Sequence, residues 1–238
     1  MRGPYGFELS SNCKSCKFRA NGFFCQMSPA ALRDFDSIKS VSAFPEGAVL
    51  FLEKQDPRGI YVLCEGQAKL SISSSEGKTL ILRIAHPGEI LGLMPALMNM
   101  PHEVTVETLR PSQVAFVPRE DFLRFVQKYP EAYQNVVHEL GADYHTACEQ
   151  LRTLGLSASA PEKLAKLFLG WSAGGKETRG ATQVKVALTH EEIAEFIGTT
   201  RETVTRTLSD FRSRRLAALD GSTLRIPNRA ALEDFVSL

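Results

Sequence analysis

Short apolar runs rich in Leu, Ile and Val alternate with turn residues from about Phe44 to Phe116. Within this segment Gly66, Gly77 and Gly88 recur at intervals of eleven residues, and two of them follow a glutamate. Short runs between tight turns are typical of β-hairpins. The pattern predicts a compact antiparallel barrel or roll, with strands in GAVLFLE, GIYVLCEG, AKLSIS, TLILRIA, HEVTVETL and SQVAFVP.

A helical pattern follows, in which apolar residues recur at alternating steps of four and three. These steps form the a/d seam of a coiled coil, and such a face needs a partner. The partner is either the chain's own sheet domain or the same helix of a second copy in a homodimer, which we favour. Cys148 lies one position after an a/d residue and is interpreted as a helix-packing residue. The candidate dimer interface is Tyr133, Val137, Leu140, Tyr144, Ala147, Leu151 and Leu154.

The stretch LSASAP breaks this helix and predicts a domain boundary near residues 155–160. The helical pattern resumes from Pro161 to Trp171. The polar, glycine-rich SAGGKETRGATQ that follows is interpreted as a surface loop.

Two helix starts lie ten residues apart near the C-terminus. Thr189 with Glu192, and Thr199 with Glu202, each have the spacing of a capping box, and Gly198 separates the two helices. Two short amphipathic helices joined by a tight turn predict a helix-turn-helix. The Asp-Gly pair at residues 220–221 predicts a hairpin after it, in the position of a wing.

The second of these helices has a polar face opposite its apolar one. Arginine can bind guanine, and glutamate can accept from cytosine, in the major groove of DNA. A solvated helix face is the alternative, but this face begins at the helix N-terminus, where recognition helices contact bases. The candidate DNA-binding residues are Arg201, Glu202, Thr205, Arg206 and Ser209, with Thr189, Thr200 and Arg212 beside them; Arg212, Arg214 and Arg215 are better placed for phosphates.

Composition limits the alternatives. The chain has 238 residues, 43% hydrophobic and 23% charged, which is enough to bury a core. Its formal net charge is only +1, yet the segment from Thr199 to Arg229 contains seven arginines and only three carboxylates.

No apolar stretch is long enough to span a membrane and no secretory signal is recognisable, so we expect a cytoplasmic protein without a membrane partner. No set of residues has a spacing that supports catalysis, and we do not expect an enzyme.

Nearly the whole chain, from the glycine-punctuated roll to RETVTR in IGTTRETVTRTL, resembles the CRP/FNR superfamily of bacterial transcription factors. The resemblance implies an α+β fold with an N-terminal cyclic-nucleotide-binding-type β-roll, a long dimerisation helix and a C-terminal winged helix-turn-helix. It also implies a homodimer that binds palindromic double-stranded DNA, with RNA polymerase as a further partner. RETVTR is similar to the recognition helix of the cyclic-AMP branch, which gives base-reading roles to Arg201, Glu202 and Arg206 and half-sites resembling TGTGA.

The resemblance divides the chain into four regions. We predict a Cys-rich sensor segment at 1–30, a β-roll sensor domain at 31–128, a dimerisation helix at 129–156 and a winged helix-turn-helix domain at 157–238.

The nucleotide-binding branch carries a glutamate for the ribose and an Arg-Ser pair for the cyclic phosphate. Here Leu93 lies near the first position, and Pro101, His102 and Glu103 lie near the second. A phosphate without an arginine would remain an unpaired charge, which costs several kcal/mol, so we expect no cyclic nucleotide. His102 is either an effector ligand or, as we favour, a surface histidine in a turn.

Three cysteines cluster near the N-terminus in CKSCKFRANGFFC. This segment resembles, in order and location, the cysteine cluster that binds a 4Fe-4S centre in the oxygen-sensing branch, although the gap from Cys16 to Cys25 is longer. No cysteine occurs in ETLRPSQVAFVP, where that branch has its fourth ligand. The candidate cluster and metal ligands are Cys13, Cys16, Cys25 and Cys64, with a plain buried role for Cys64 as an alternative.

Other roles for the three clustered cysteines stay open: a zinc or other metal site, a thiol redox switch, or no function. We predict a regulator that senses oxygen, nitric oxide or redox state through a 4Fe-4S cluster. The alternative is the same fold gated by a small-molecule effector in the roll, other than a cyclic nucleotide, with incidental or thiol-switch cysteines.

Overall fold

The computed structural model describes residues 4–6, 12–16, 22–178 and 180–237. The chain forms two compact units, one of Met1–Ile72 with Leu82–Thr146 and the other of Ser73–Ile81 with Ala147–Leu238. None of the helices in the described ranges combines the length and apolar character that crossing a lipid bilayer requires.

The first unit contains the predicted roll. Its elements are α1 (Pro29–Ile38), β1 (Ser40–Phe44), β2 (Val49–Phe51), β3 (Gly59–Glu65), β4 (Ala68–Ser73), β5 (Thr79–Ala85), β6 (Ile90–Leu91), α2 (Leu93–Met98), β7 (Thr105–Thr108), β8 (Ser112–Pro118), α3 (Arg119–Lys128) and the first part of α4 (Pro130–Leu156). The hairpin tip between β4 and β5 is grouped with the second unit.

Two four-stranded antiparallel sheets form the roll, with strand orders β1-β8-β3-β6 and β2-β7-β4-β5. All six predicted runs form strands, and the turn glycines Gly66, Gly77 and Gly88 have φ values of 105°, 80° and 101°, which strongly favour glycine. Strands β1 and β6 were not predicted. The α+β fold with a β-roll, a long helix and a C-terminal helix-turn-helix is confirmed.

The long helix α4 begins on the core of the roll. Ala132 and Val136 face inward and are buried with Phe24 and Met27, which belong to the segment before α1. Ser28 caps α1 by accepting a hydrogen bond from the backbone N–H of Ala31, and Pro29 occupies the first turn, where its missing N–H costs nothing.

The second unit contains α5 (Ala160–Ser172), β9 (Lys176–Thr178), β10 (Ala181–Lys185), α6 (His190–Ile197), α7 (Arg201–Ser213), β11 (Ala218–Asp220), β12 (Thr223–Ile226) and α8 (Arg229–Ser237). Its sheet has the order β11-β12-β10-β9. The prediction of a surface loop over SAGGKETRGATQ is therefore wrong, because this stretch supplies β9 and the start of β10. The polar residues adopt strands because β10 pairs with β12, whose paired residues are 38 to 44 positions away in the sequence.

Candidate DNA-binding face and cysteine pocket

Helices α6 and α7 form the predicted helix-turn-helix. Thr189 and Glu192 make a complete capping box at the start of α6, and Gly198 ends the helix with φ 65°. The second capping box is wrong by one residue: Thr200, not Thr199, is the N-cap of α7, and its hydroxyl accepts from the backbone N–H of Thr203. The prediction failed because adjacent threonines give the sequence two candidate caps.

The apolar faces of both helices are buried, and the polar face of α7 is exposed. Val204, Leu208 and Phe211 of α7 are buried, as are Ile193 and Ile197 of α6. All eight candidate DNA-binding residues are exposed: Thr189, Thr200, Arg201, Glu202, Thr205, Arg206, Ser209 and Arg212.

Thr205 and Glu202 are also hydrogen-bonded. The Nδ1 atom of His190 lies 3.1 Å from the hydroxyl of Thr205, which links the two helices; His190 was not a candidate. The pKa of Glu202 is lowered by a hydrogen bond from its own backbone N–H and by the hydroxyl of Thr200. Glu202 is therefore an ionised acceptor at the start of α7.

The arginines of this region fall into two groups. Arg212 is paired with Asp220 of the wing, Arg214 lies 3.4 Å from Asp210, and Arg229 lies 2.8 Å from Glu233. Among the residues with described positions, no ion pair involves the remaining four, which are Arg201, Arg206, Arg215 and Arg225. The first two of these lie on the exposed face of α7.

The a/d seam of α4 is mostly exposed. Tyr133, Val137, Tyr144 and Leu151 have between 55% and 75% of their surface accessible, and Ala147 is also exposed. Leu140 and Leu154 are half-buried, and Leu140 packs against the core of the roll. The chain therefore leaves most of the seam available for a partner.

Four cysteines line one pocket in the first unit. Cys13, Cys16 and Cys25 come from the N-terminal segment, and Cys64 comes from β3. The pocket is partly open to solvent. The four thiols predicted as ligands are thus brought together, although 39 residues separate Cys25 from Cys64.

A close backbone contact positions the third cysteine. Gly22 packs against Gly88, so that a Cβ atom on Gly22 would lie 2.2 Å from the carbonyl oxygen of Gly88. The same Gly22 accepts a hydrogen bond from the backbone N–H of Cys25 at 3.0 Å. Only glycine fits at residue 22, and this contact brings Cys25 to the turn between β5 and β6.

Burial dominates the electrostatics of the thiols. Desolvation is the first cause that raises the pKa values of Cys25 and Cys64 to about 12, and the other cysteines contribute to both increases. Burial also raises the pKa of Cys13, against an opposing effect of Lys39. The thiols of Cys13, Cys25 and Cys64 are therefore protonated in this environment, and a metal centre that bound them would displace their protons.

The four thiols lie around one pocket and do not converge on a single point. Within the described ranges, no three His, Cys, Asp or Glu side chains are close enough together to hold a metal ion. In a 4Fe-4S cluster each of four cysteine thiolates binds a different iron, so the ligands surround a volume and not a single point. Four cysteines around one pocket are the donor set that such a cluster requires.

The cysteine segment is connected to the start of α4. Three residues after Cys25, Ser28 donates from its backbone N–H and from its hydroxyl to the two carboxylate oxygens of Glu131, at 2.9 and 2.6 Å. Phe24, which precedes Cys25, packs on Phe35 and on Phe122 of α3. Neither Ser28 nor Glu131 was identified from the sequence.

The interior of the roll is occupied by aromatic side chains. His102 stacks on Phe51 with ring centroids 3.8 Å apart, and Tyr61 lies 5.4 Å from Phe51. The interpretation of His102 as a surface histidine is wrong: it is 3% exposed, and burial lowers its pKa. The error arose because only the tertiary fold brings His102 onto the ring of Phe51. Leu93 is buried, and Pro101 and Glu103 are exposed.

Comparison with known proteins gives two family matches. Residues 41–129 match the cyclic nucleotide-binding domain, and residues 162–235 match the Crp-like helix-turn-helix domain. The transcriptional activatory protein AadR of Rhodopseudomonas palustris is 27% identical, over 94% of this chain and 92% of that protein. The nitrogen fixation regulation protein FixK of Bradyrhizobium diazoefficiens is 26% identical, over 83% of this chain and 82% of that protein.

The fold is similar to that of solved structures. FixK2 from Bradyrhizobium japonicum superposes with a TM-score of 0.72 at 18% identity, covering 83% of this chain and 96% of that chain. At this identity the likeness concerns the fold, which has the same roll, long helix and helix-turn-helix.

Proposed function

Because this chain belongs to the CRP/FNR family of DNA-binding transcriptional regulators, we propose that it is a homodimer that senses oxygen, nitric oxide or redox state through a 4Fe-4S cluster. The observation that carries the sensory part is the single pocket lined by Cys13, Cys16, Cys25 and Cys64. The protein acts in the cytoplasm, with RNA polymerase as its further partner.

The recognition helix is α7. Arg201 and Arg206 are exposed, lack an ion pair within the described part of the chain, and lie five residues apart on the exposed side of α7, so both can reach base edges. Glu202 is an ionised acceptor beside them. We assign them to half-sites resembling TGTGA, and we assign Arg212 to the phosphate backbone, where it would exchange its carboxylate partner for a phosphate.

The two copies associate through α4. A two-fold axis along the exposed seam buries Tyr133, Val137, Tyr144 and Leu151 against their equivalents. The dimer presents two copies of α7, and these must be about 34 Å apart to enter successive major grooves. A change in α4 therefore changes DNA affinity.

The residues around the pocket transmit the signal. When bound, a 4Fe-4S cluster supplies a centre that is sensitive to oxygen and nitric oxide. Cys25 and Ser28 lie on one short segment, and Ser28 holds Glu131 at the first turn of α4 by two hydrogen bonds. Displacement of Cys25 would therefore release Glu131 and loosen the packing of Phe24 and Met27 under the same helix.

A cyclic nucleotide is not part of the proposed mechanism. The stacked rings of Phe51 and His102 lie in the roll interior, and Glu103 follows where the nucleotide-binding branch has its phosphate ligands. A cyclic phosphate at that position would find a carboxylate and no arginine.

The test is performed on full-length protein purified under strict anaerobiosis. We expect about four irons and four sulfides per chain, with visible charge-transfer absorption, and loss of both on exposure to air. Cys64→Ser should lose iron, whereas Cys148→Ser, which alters the cysteine outside the pocket, should retain it.

The same samples are then titrated with a TGTGA palindrome and with a scrambled duplex. We expect the preference for the palindrome to differ between anaerobic and air-treated protein. If the protein contains no iron, and if its preference for the palindrome is the same under anaerobic conditions and after air, the sensory proposal is contradicted. The DNA-binding proposal would still stand.

A further inference from the structure

Lys39 is a buried cation at the wall of the cysteine pocket. It follows α1, and only 3% of its side-chain surface is exposed. Its Nζ atom lies 2.7 Å from the Sγ atom of Cys13 and 2.6 Å from the Oδ1 atom of Asp36. The ammonium group is therefore hydrogen-bonded to one of the four candidate ligand sulfurs.

Asp36 contacts both members of this pair. Besides the ammonium group of Lys39, its carboxylate accepts the backbone N–H of Cys13, with 3.2 and 3.3 Å to its two oxygens. Cys13 is thus held at two points, through its backbone by Asp36 and through its sulfur by Lys39.

An isolated lysine is costly to bury, and a buried one is retained where its charge has partners. One carboxylate balances the charge of Lys39, yet another N–H of the ammonium group points at sulfur. Hydrogen bonds to ligand sulfurs and positive charge nearby stabilise the more negative, reduced state of an iron-sulfur cluster, and they raise its reduction potential.

On the premise of the cluster proposed above, we propose that Lys39 is a positioning residue that fixes the Cys13 ligand and raises the reduction potential of the cluster, with Asp36 orienting its ammonium group. The hydrogen bond of Lys39 is to Cys13, and its positive charge also lowers the pKa of Cys25 and of Cys64, against the larger effect of burial.

The experiment compares four variants of the full-length protein, each reconstituted anaerobically. Lys39→Met removes charge and donor, Lys39→Gln retains a donor without the charge, and Lys39→Arg retains both. Lys78→Met is the matched control, because Lys78 is exposed in a turn. The readouts are reduction potential by spectroelectrochemical titration and the rate of iron loss to a chelator, with circular dichroism to check folding.

We expect Lys39→Met to lower the potential and to accelerate iron loss by about 10-fold or more, the magnitude typical of losing a side chain that hydrogen-bonds to a metal ligand. Lys39→Gln should be intermediate, and Lys39→Arg and Lys78→Met should resemble the wild type. If Lys39→Met folds but cannot retain iron, and Lys39→Arg retains it, the result supports the same conclusion.

Equal potentials and equal rates of iron loss in the wild type and Lys39→Met would overturn the role of Lys39 and leave the cluster intact. If Lys39→Met does not fold, Lys39→Gln and Lys39→Arg decide: a lower potential in Lys39→Gln alone supports the proposal, and equal potentials overturn it. Wild-type protein without iron and sulfide would instead overturn the proposed function on which this inference rests.

Discussion

Glu139 is a buried carboxyl group on the inner side of α4. It is 8% exposed and lines a pocket with Arg83, Glu89 and Asp143, and no hydrogen bond to it occurs among the residues described. Arg83 is bonded to Glu89 and lies 2.8 Å from Asp143. Burial, followed by repulsion from Asp143 and Glu89, raises the pKa of Glu139 to about 7.

This pKa predicts how stability depends on pH. Folding raises the pKa of Glu139 from 4.5 to about 7, so the folded state binds this proton more tightly than the unfolded state. The contribution of the bound proton to the free energy of unfolding is complete below pH 4.5 and is lost as the pH rises through 7. Glu139→Gln mimics the protonated form, so it should stabilise the protein at pH 8 by on the order of 1 kcal/mol after solvent screening, and little at pH 5.

Urea unfolding of the wild type and Glu139→Gln at both pH values measures this effect. Glu103→Gln, which changes an exposed carboxyl group, is the control. Equal stabilisation of the Glu139 variant at both pH values would contradict the prediction.

The sequence identified the four cysteines of the pocket but not the residues that support them. Cys64 could be named as a fourth ligand because it lies in a predicted strand and other nearby cysteines are lacking. Lys39, Asp36 and Glu131 are ordinary surface-type residues in the sequence, and only the tertiary fold brings them to Cys13 and Ser28. His102 was misassigned for the same reason.

At the scale of single elements, the role of α7 as the recognition helix can be tested directly by mutation. Arg201→Ala and Arg206→Ala should each lower affinity for the TGTGA palindrome by about 10- to 100-fold, because a bidentate contact to guanine contributes about 1–3 kcal/mol. The loss should be much smaller on scrambled DNA. Fluorescence anisotropy at one fixed salt concentration measures both affinities.

Arg124→Ala is the matched control for this prediction. Arg124 is exposed on α3 and paired with Asp121. It lies in the first unit, far from α7 in the sequence. If the α7 variants retain the preference for the palindrome over scrambled DNA, α7 is not the recognition helix.

The junction between the cysteine segment and α4 predicts a variant that binds its cofactor without responding to it. Glu131→Gln weakens the two hydrogen bonds from Ser28. We expect normal iron content and a loss of stability of about 1 kcal/mol, the value of a typical hydrogen bond. The ratio of DNA affinities before and after air should fall several-fold towards unity.

Iron analysis and DNA titration of Glu131→Gln check this expectation, with Glu120→Gln in the first turn of α3 as the control. An unchanged ratio would show that another contact transmits the signal.

Elements were predictable where the pattern is local. The apolar runs of the roll, the a/d seam and the helix-turn-helix each show within a short window of sequence. Strand β10 was missed because its polar residues gain order only by pairing with β12, and β1 because its partner β8 is distant in the sequence. The start of α7 was misplaced because Thr199 and Thr200 compete as caps.

At the scale of the whole molecule, the exposed seam predicts dimerisation. Leu151 is 69% exposed, and in the dimer it would meet its own equivalent across the two-fold axis. Leu151→Glu places two charges in that interface and should raise the dimer dissociation constant by roughly 100-fold, or about 2.7 kcal/mol. Sedimentation equilibrium measures the constant, and affinity for the palindrome should fall with it.

His145→Glu adds the same charge at an exposed position of α4 outside the seam and should leave the dimer intact. Dimers of equal stability in both variants would mean that the two copies associate through another surface.

The ion pairs of the C-terminal region have a consequence for the thermodynamics of DNA binding. An arginine that already carries a carboxylate partner neutralises fewer phosphates than a free one, so it contributes less to the release of condensed cations from the duplex. Arg212, Arg214 and Arg229 have such partners. Arg212 would give up its carboxylate partner to bind a phosphate, so its net contribution is smaller than that of an unpaired arginine. The logarithm of affinity should therefore fall with the logarithm of salt concentration at a shallower slope than seven phosphate contacts per half-site would give, with about 0.9 for each phosphate neutralised.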